Sequence, residues 1–293
     1  MKIIVRSVIA AAAIACCAVQ AQAHSPAPAA AMASEQLAVG AKPYQVQVHH
    51  GGSGRYTVIF ESGFGTDLRA WRKVAPEVAK VARTLAYSRA GHGASEARPE
   101  PRTIAQNTDE LVQLIAAARA APPFILVGHS YGGLLMRAFA ARHPEQVAGM
   151  VLVDPADERF NPALRELDAA RAAEDERQFA GFVPPRFQPE YKLLQPVLDS
   201  GVLALEGKLP DVPTVVLTSV RQEEKPMFFL ETAPAVAIKR ELHADFLRQF
   251  THGSQVVTAK SGHNIQLEEP ELVVAAVAKV IGAADMRSAQ AGR

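Results

Sequence analysis

From Tyr44 onward the chain alternates short apolar runs with longer amphipathic stretches. "YQVQVHH" (44–50) switches between apolar and polar residues, the pattern of a strand with one solvated face. "YTVIFES" (56–62), "TLAYSR" (84–89), "FILVGH" (124–129), "VAGMVLVD" (147–154), "TVVLTS" (214–219) and "QVVTAK" (255–260) are nearly continuous apolar runs. Runs of that kind suit strands buried on both faces of a parallel sheet. Helical spacing fills the intervals and predicts helices over 68–81, 104–119, 131–142, 235–250 and 270–281, the last opened by a proline at its first turn.

Such alternation predicts an α/β fold: a doubly wound, mostly parallel sheet. One interval breaks the rhythm. Between Asp154 and Pro213 the chain offers charged helical sequence, "ALRELDAARAAEDERQFA", and a proline-rich joint, "FVPPRFQPEY", but no strand. An insertion this long in a compact domain is usually functional or mobile. It is read as a helical cap over the sheet's C-terminal edge, where open α/β sheets bind ligands. The expected organisation is a core of 36–154 and 211–285, a cap of 155–210 and a tail of 286–293. "HHGGSG" (49–54) is expected to be a glycine-rich hairpin turn.

The N-terminus changes the picture of location. "MKIIVRSVIAAAAIA" sets Lys2 and Arg6 before an apolar stretch too short to span a bilayer, and Ala21-Gln22-Ala23 fits a small-residue cleavage site. The expectation is a signal peptide over 1–23, a flexible leader over 24–35, and an exported protein, periplasmic or secreted. Lipidation at Cys16 is a weaker alternative, because Ala13 stands where a leucine is usual. Both cysteines, Cys16 and Cys17, fall in the removed segment, which leaves no disulfide, thiolate nucleophile or thiolate ligand. Hydrophobic residues make up 48% of the 293, enough for one large domain to rest on its core alone. The net charge of +1 is spread without a basic stripe, so nucleic acid is not an expected partner. No later segment is long and apolar enough to be a transmembrane helix.

The chemistry concentrates at "GHSYGG" (128–133). By composition alone, Gly-x-Ser-x-Gly arises in roughly one chain in ten of this length. Here, however, it follows a buried strand and opens a helix, the setting of a nucleophile elbow with Ser130 at the corner. The plainer alternative is an ordinary N-cap serine. A serine hydroxyl needs a base to take its proton. Of the nine histidines, His263 sits in the loop after the last strand, on the same sheet edge as Ser130, and is the expected base. His92, also in a loop after a strand, is a weaker rival. His143, His243 and His252 read as helix surface or helix end, and His129 as a support of the elbow. Backbone N–H groups for an oxyanion are expected from Tyr131, directly after the serine, and from Phe64 in the glycine-flanked loop "ESGFG" (61–65).

"GHSYGG", "ESGFG", "YSRAGHGAS", "VLVDP" and "SGHNIQLEEP" occur in the order seen in the α/β-hydrolase superfamily. Over roughly 36–282 the chain resembles its single-domain serine esterases with a helical cap. The resemblance implies hydrolysis by a Ser–acid–His triad without cofactor or metal. It departs from the usual pattern at the acid. The loop after "TVVLTS" reads "VRQEEKP", with Glu223 and Glu224 but no aspartate. The other known location, the end of the preceding strand, carries Asp154; Asp157 lies near it. Asp154 is the expected acid, with Glu223 or Glu224 as the alternative and Asp157 behind them.

The expected activity is cleavage of a carboxylic ester or related acyl bond in a small-molecule substrate. Lactonase, amidase or cofactor-free haloperoxidase-type chemistry would use the same residues. A non-catalytic binding protein on the same fold has no need of the intact serine, histidine and glycine loops. Dinucleotide binding lacks its G-x-G-x-x-G spacing and a Walker loop is absent.

Overall fold

The computed structural model describes residues 32–291. The expected signal peptide, its cleavage site near Ala23, Cys16 and most of the leader lie outside them.

Eight strands form one sheet: β1 (Ala33–Val39), β2 (Tyr44–Gly51), β3 (Thr57–Glu61), β4 (Arg83–Tyr87), β5 (Phe124–His129), β6 (Val147–Val153), β7 (Thr214–Ser219) and β8 (Gly253–Thr258). Their spatial order is β1-β2-β4-β3-β5-β6-β7-β8. β1 and β2 pair antiparallel, as do β2 and β4; every later pairing is parallel. The helices are α1 (Ala75–Val78), α2 (Ile104–Ala117), α3 (Tyr131–Arg142), α4 (Phe160–Phe182), α5 (Gln188–Ser200), α6 (Ala233–Leu247), α7 (Ile265–Glu268) and α8 (Pro270–Ala291).

Along β3 to β7 the apolar runs are continuous because both faces of the sheet are covered. β8, expected to be buried on both faces, is instead the edge strand and mostly half-buried or exposed, with Val257 39% exposed. On β5, Phe124 and Leu126 enter a cluster with Leu111 and Leu114 of α2, Phe139 of α3 and Phe246 of α6. Ile125 and Val127 enter the opposite cluster, with Trp71 and with Val273, Val277 and Val280 of α8. Each such side chain, fully removed from water, contributes about 1.5–3 kcal/mol. Two-sided covering holds the central strands as a rigid frame for the loops at their C-terminal ends.

Several expectations are revised. "HHGGSG" is not a hairpin turn: β4 lies between β2 and β3, so the segment is a crossover. Gly52 is needed there, with φ +74° and a position where a Cβ would stand 2.1 Å from the Ala82 carbonyl. The strand β1 starts at Ala33, inside the expected leader, because its backbone completes a seven-residue antiparallel ladder with β2. The final helix runs on to Ala291 through the expected tail. The helix expected over 68–81 is broken into a 3-10 turn (Leu68–Trp71) and the single turn α1, which has proline in its first positions. Between β6 and β7 the insertion forms α4 and α5, joined at the Pro184–Pro185 bend.

Candidate active site

The chain leaves β3 for β4 on one side and then returns to place β5 on the other, so a topological switch point lies between β3 and β5. Open α/β sheets bind ligands at such a crevice. The register pairs Glu61 with Gly128, so the turn after β3 and the corner after β5 emerge side by side.

Ser130 occupies that corner with φ 51° and ψ −122°, a conformation that costs a non-glycine residue strain. Its side chain makes no capping bond to α3, which removes the N-cap reading. Close packing dictates the flanking glycines: a Cβ on Gly128 would stand 2.6 Å from the Gly132 carbonyl, and one on Gly132 2.4 Å from the Glu61 carbonyl. Ser130 N donates to Val153 O at 3.2 Å and Ser130 O accepts from Ala156 N at 3.0 Å. These two bonds bracket Asp154 and stitch the corner to the end of β6.

Asp154, just past β6, also has positive φ, at 38°. Three non-glycine residues among the described residues share that feature, and two of them are Ser130 and Asp154. Asp154 is 1% exposed. Its Oδ1 accepts from Ser219 N at 2.9 Å, and its Oδ2 accepts from His263 Nδ1 at 2.7 Å and from Lys239 Nζ at 3.0 Å. Burial pushes this carboxyl upward, but the His263 hydrogen bond and the Lys239 ammonium outweigh it and hold the group well below the usual carboxylate range. The acid is therefore an anion at neutral pH.

His263 lies between β8 and α7 and, unlike its partner, is half exposed. With Nδ1 bonded to Asp154, Nε2 is the nitrogen turned away from the carboxylate. Its ring stands 4.7 Å from that of His129, the residue before Ser130, and His129 Nε2 donates to the His263 carbonyl at 3.0 Å. Burial, with the neighbouring His263 ring, pushes His129 down to about 3, so it is a neutral donor at that carbonyl. The loop is pinned further back by Ser261, which binds Glu269 through both N and Oγ. Neither Ser130 Oγ nor His263 Nε2 has a hydrogen bond among the described residues; nucleophile–base bonds often close only around a substrate.

The other candidates separate clearly. Glu223 is bound to Arg221 at 3.0 Å, and Glu223 and Glu224 are exposed, with no hydrogen bond to His263 among the described residues. Asp157 is bound by Arg159 at 2.8 Å. His92 is buried and stacks on Phe187 with ring centres 4.5 Å apart. His243 is not helix surface: it is 1% exposed, bonded through Nδ1 to Thr218 Oγ1 and through Nε2 to Pro155 O.

Tyr131 is the first residue of α3, where the N–H has no intrahelical acceptor. Phe64 sits in the turn after β3, against the serine corner: a Cβ on Gly63 would lie 3.4 Å from Ser130 Cβ. The inserted helices close over it, with Phe64 5.9 Å from Tyr191 of α5 and 6.2 Å from Phe187. Tyr191 also lines a partly open, mostly apolar cavity with Leu164, Phe179, Leu198 and Leu230, with Asp175 and Glu176 in its wall.

Lys239, Glu61 and Arg89 escaped the sequence reading. Lys239 carries no motif; only the packing of α6 against the end of β6 reveals it. Glu61 had a faint signal, a carboxylate ending an otherwise apolar strand.

A family model for the alpha/beta hydrolase fold matches residues 56–204. The chain is 30% identical over 246 residues to the uncharacterized protein YqjL of Bacillus subtilis, across 82% of this chain and 89% of that one. Among solved structures, a putative lipase from Acinetobacter baumannii superposes with a TM-score of 0.60 at 18% identity, over 87% of this chain and 93% of that one. An esterase from Thermogutta terrifontis gives 0.56 at 17% identity, over 86% and 99%.

Proposed function

The chain belongs to the α/β-hydrolase fold family, and we propose that within it this protein is an exported serine hydrolase of carboxylic esters. In this reading Ser130 Oγ attacks the ester carbonyl as His263 Nε2 takes its proton. The N–H groups of Phe64 and Tyr131 hold the oxyanion. Asp154 orients the His263 ring and balances its charge while it carries the proton. His263 then protonates the departing alcohol, and water, activated by the same ring, releases the acid from the acyl-enzyme.

One observation carries the proposal: the 2.7 Å bond from His263 Nδ1 to the buried Asp154, beside a serine held at positive φ on a strand-to-helix corner. A purely architectural role explains neither the strain at Ser130 nor the absence of a capping bond there. The esterase and the lipase among the superposed structures agree with ester chemistry at the level of the fold. The helices α4 and α5 act as a cap, and the cavity beside Tyr191 suits an apolar acyl or alcohol group. Export rests on the N-terminal pattern of basic, apolar and small residues.

The test is release of p-nitrophenol from p-nitrophenyl butyrate by the wild type and by Ser130→Ala. Turnover by the wild type alone supports the serine mechanism. Equal turnover by both removes Ser130 as nucleophile. A folded but inert wild type rules out short-ester hydrolysis.

A further inference from the structure

The turn that carries Phe64 is tied down from one side. The Gly63 carbonyl accepts three hydrogen bonds: from Arg89 Nη2 at 2.8 Å, Thr66 Oγ1 at 3.0 Å and Thr66 N at 3.3 Å. Arg89 Nη1 holds the preceding carbonyl, that of Ser62, at 2.7 Å. The same nitrogen meets the Glu61 carboxylate at 2.5 Å, and Tyr87 OH donates to that carboxylate from the other side. The Arg89 side chain is 3% exposed, so no solvent-facing role accounts for it.

A guanidinium is a rigid planar fork, and its hold on two successive carbonyls fixes two successive peptide planes. A trans peptide is planar, with its N–H directed opposite to its C=O. With the Gly63 oxygen drawn toward Arg89, the Phe64 N–H must point away from Arg89. That N–H has no acceptor among the described residues, and the turn that bears it packs against Ser130. Donation into the carbonyl also polarises the peptide and strengthens its N–H as a donor. A buried ion pair is weak support for stability taken alone; here it explains how the amide is held in place before substrate arrives.

We infer that Arg89 is a positioning residue that aims the Phe64 amide at the developing acyl oxyanion. This rests on the reading of Ser130 as the nucleophile. Glu61 and Tyr87 in turn keep the guanidinium charged and in register.

Arg89→Lys keeps the charge beside Glu61 but replaces the two-carbonyl fork with a single ammonium. It is assayed with p-nitrophenyl butyrate and with a trifluoromethyl ketone. In the ketone adduct Ser130 Oγ bonds to the carbonyl carbon, the carbonyl oxygen becomes the oxyanion, and the serine proton passes to His263. The expected result is a fall in kcat of about 10- to 100-fold, with KM within about twofold and ketone affinity weakened by the same factor as kcat. A merely structural role would not move the ketone affinity in step with kcat. Wild-type values for a folded Arg89→Lys overturn the inference, and so does a lower kcat with unchanged ketone affinity. Ser130→Ala, run alongside, separates the two readings: if it keeps the wild-type rate, the nucleophile assignment has failed instead. Should Arg89→Lys not fold, Thr66→Val removes another donor from the same carbonyl. About a threefold joint loss in kcat and ketone affinity supports the inference, and no change in either overturns it.

Discussion

Glu61 and Asp154 stand at the C-terminal ends of two parallel strands of one sheet, each 1% exposed, yet their surroundings drive them in opposite directions. Burial raises Glu61, and the Arg89 charge and the Tyr87 hydroxyl only partly offset it. Burial raises Asp154 too, but the His263 hydrogen bond and the Lys239 ammonium reverse the sign. The partners differ in access as well. Arg89 is as buried as the carboxylate it binds, whereas His263 has 53% of its side chain in solvent. A buried anion joined to a half-exposed imidazole can govern a proton at the surface. One joined to a buried guanidinium can only hold backbone in place. Equal burial thus serves two purposes, and the partner's exposure tells them apart.

The sharpest way to break this contrast is to neutralise each carboxylate in turn. Asp154→Asn is expected to lower kcat on p-nitrophenyl butyrate by about four orders of magnitude, because the imidazole loses its orienting anion. A loss below tenfold would move the acid role elsewhere. Glu61→Gln is expected to act on stability first, costing about 3 kcal/mol because Arg89 is left buried without its counter-charge. The check is the urea midpoint, with far less effect on kcat than Asp154→Asn has.

A pH shift probes the same burial through its histidines. Burial and the Arg89 charge push His92 down to about 3, and burial with the adjacent His263 ring does the same to His129. For both, the unfolded chain takes up protons first, so stability is full above about pH 6.5 and falls as pH drops toward 3. Near pH 5 each contributes a loss of about 2 kcal/mol. The buried His243, pushed down by burial as well, adds in the same direction. Urea midpoints at pH 7 and 5 measure the combined loss, and His92→Asn should remove the His92 share. The smallest expected effect belongs to Glu223→Gln, which should stay within about 0.5 kcal/mol of wild-type stability because the residue is exposed. Rates on the same ester should be unchanged; a large loss would revive the alternative acid.

Much of the frame was legible along the chain. Strands β3 to β7 follow from runs that burial explains, β2 from its alternation and β8 from an apolar run that lies half-exposed at the sheet edge. The corner at Ser130 follows from glycines two positions to either side. β1 escaped because "ASEQLAV" is mostly exposed in its strand; its ladder with β2, not a buried face, makes it one. The crossover at "HHGGSG" read as a hairpin because glycine marks a tight turn, whatever the strand order around it. His243 looked like surface because its helix shows little amphipathic contrast, although strand β7 and Pro155 bury it.

The sequence by itself determined what is local. Two-sided burial of the strands, strained serine geometry and room for backbone to approach at Gly128 and Gly132 are properties of adjacent residues. Tertiary structure alone decided which acid meets His263, that Lys239 shares it, and that Arg89 holds the Gly63 carbonyl. Asp154 and His263 are 109 residues apart, Lys239 and Asp154 are 85 apart, and Arg89 and Gly63 are 26 apart. Such partners meet only once strand order and helix packing bring their segments to one edge of the sheet. Hydrogen bonds act over about 3 Å, and no pattern along a chain carries that distance until the fold has closed.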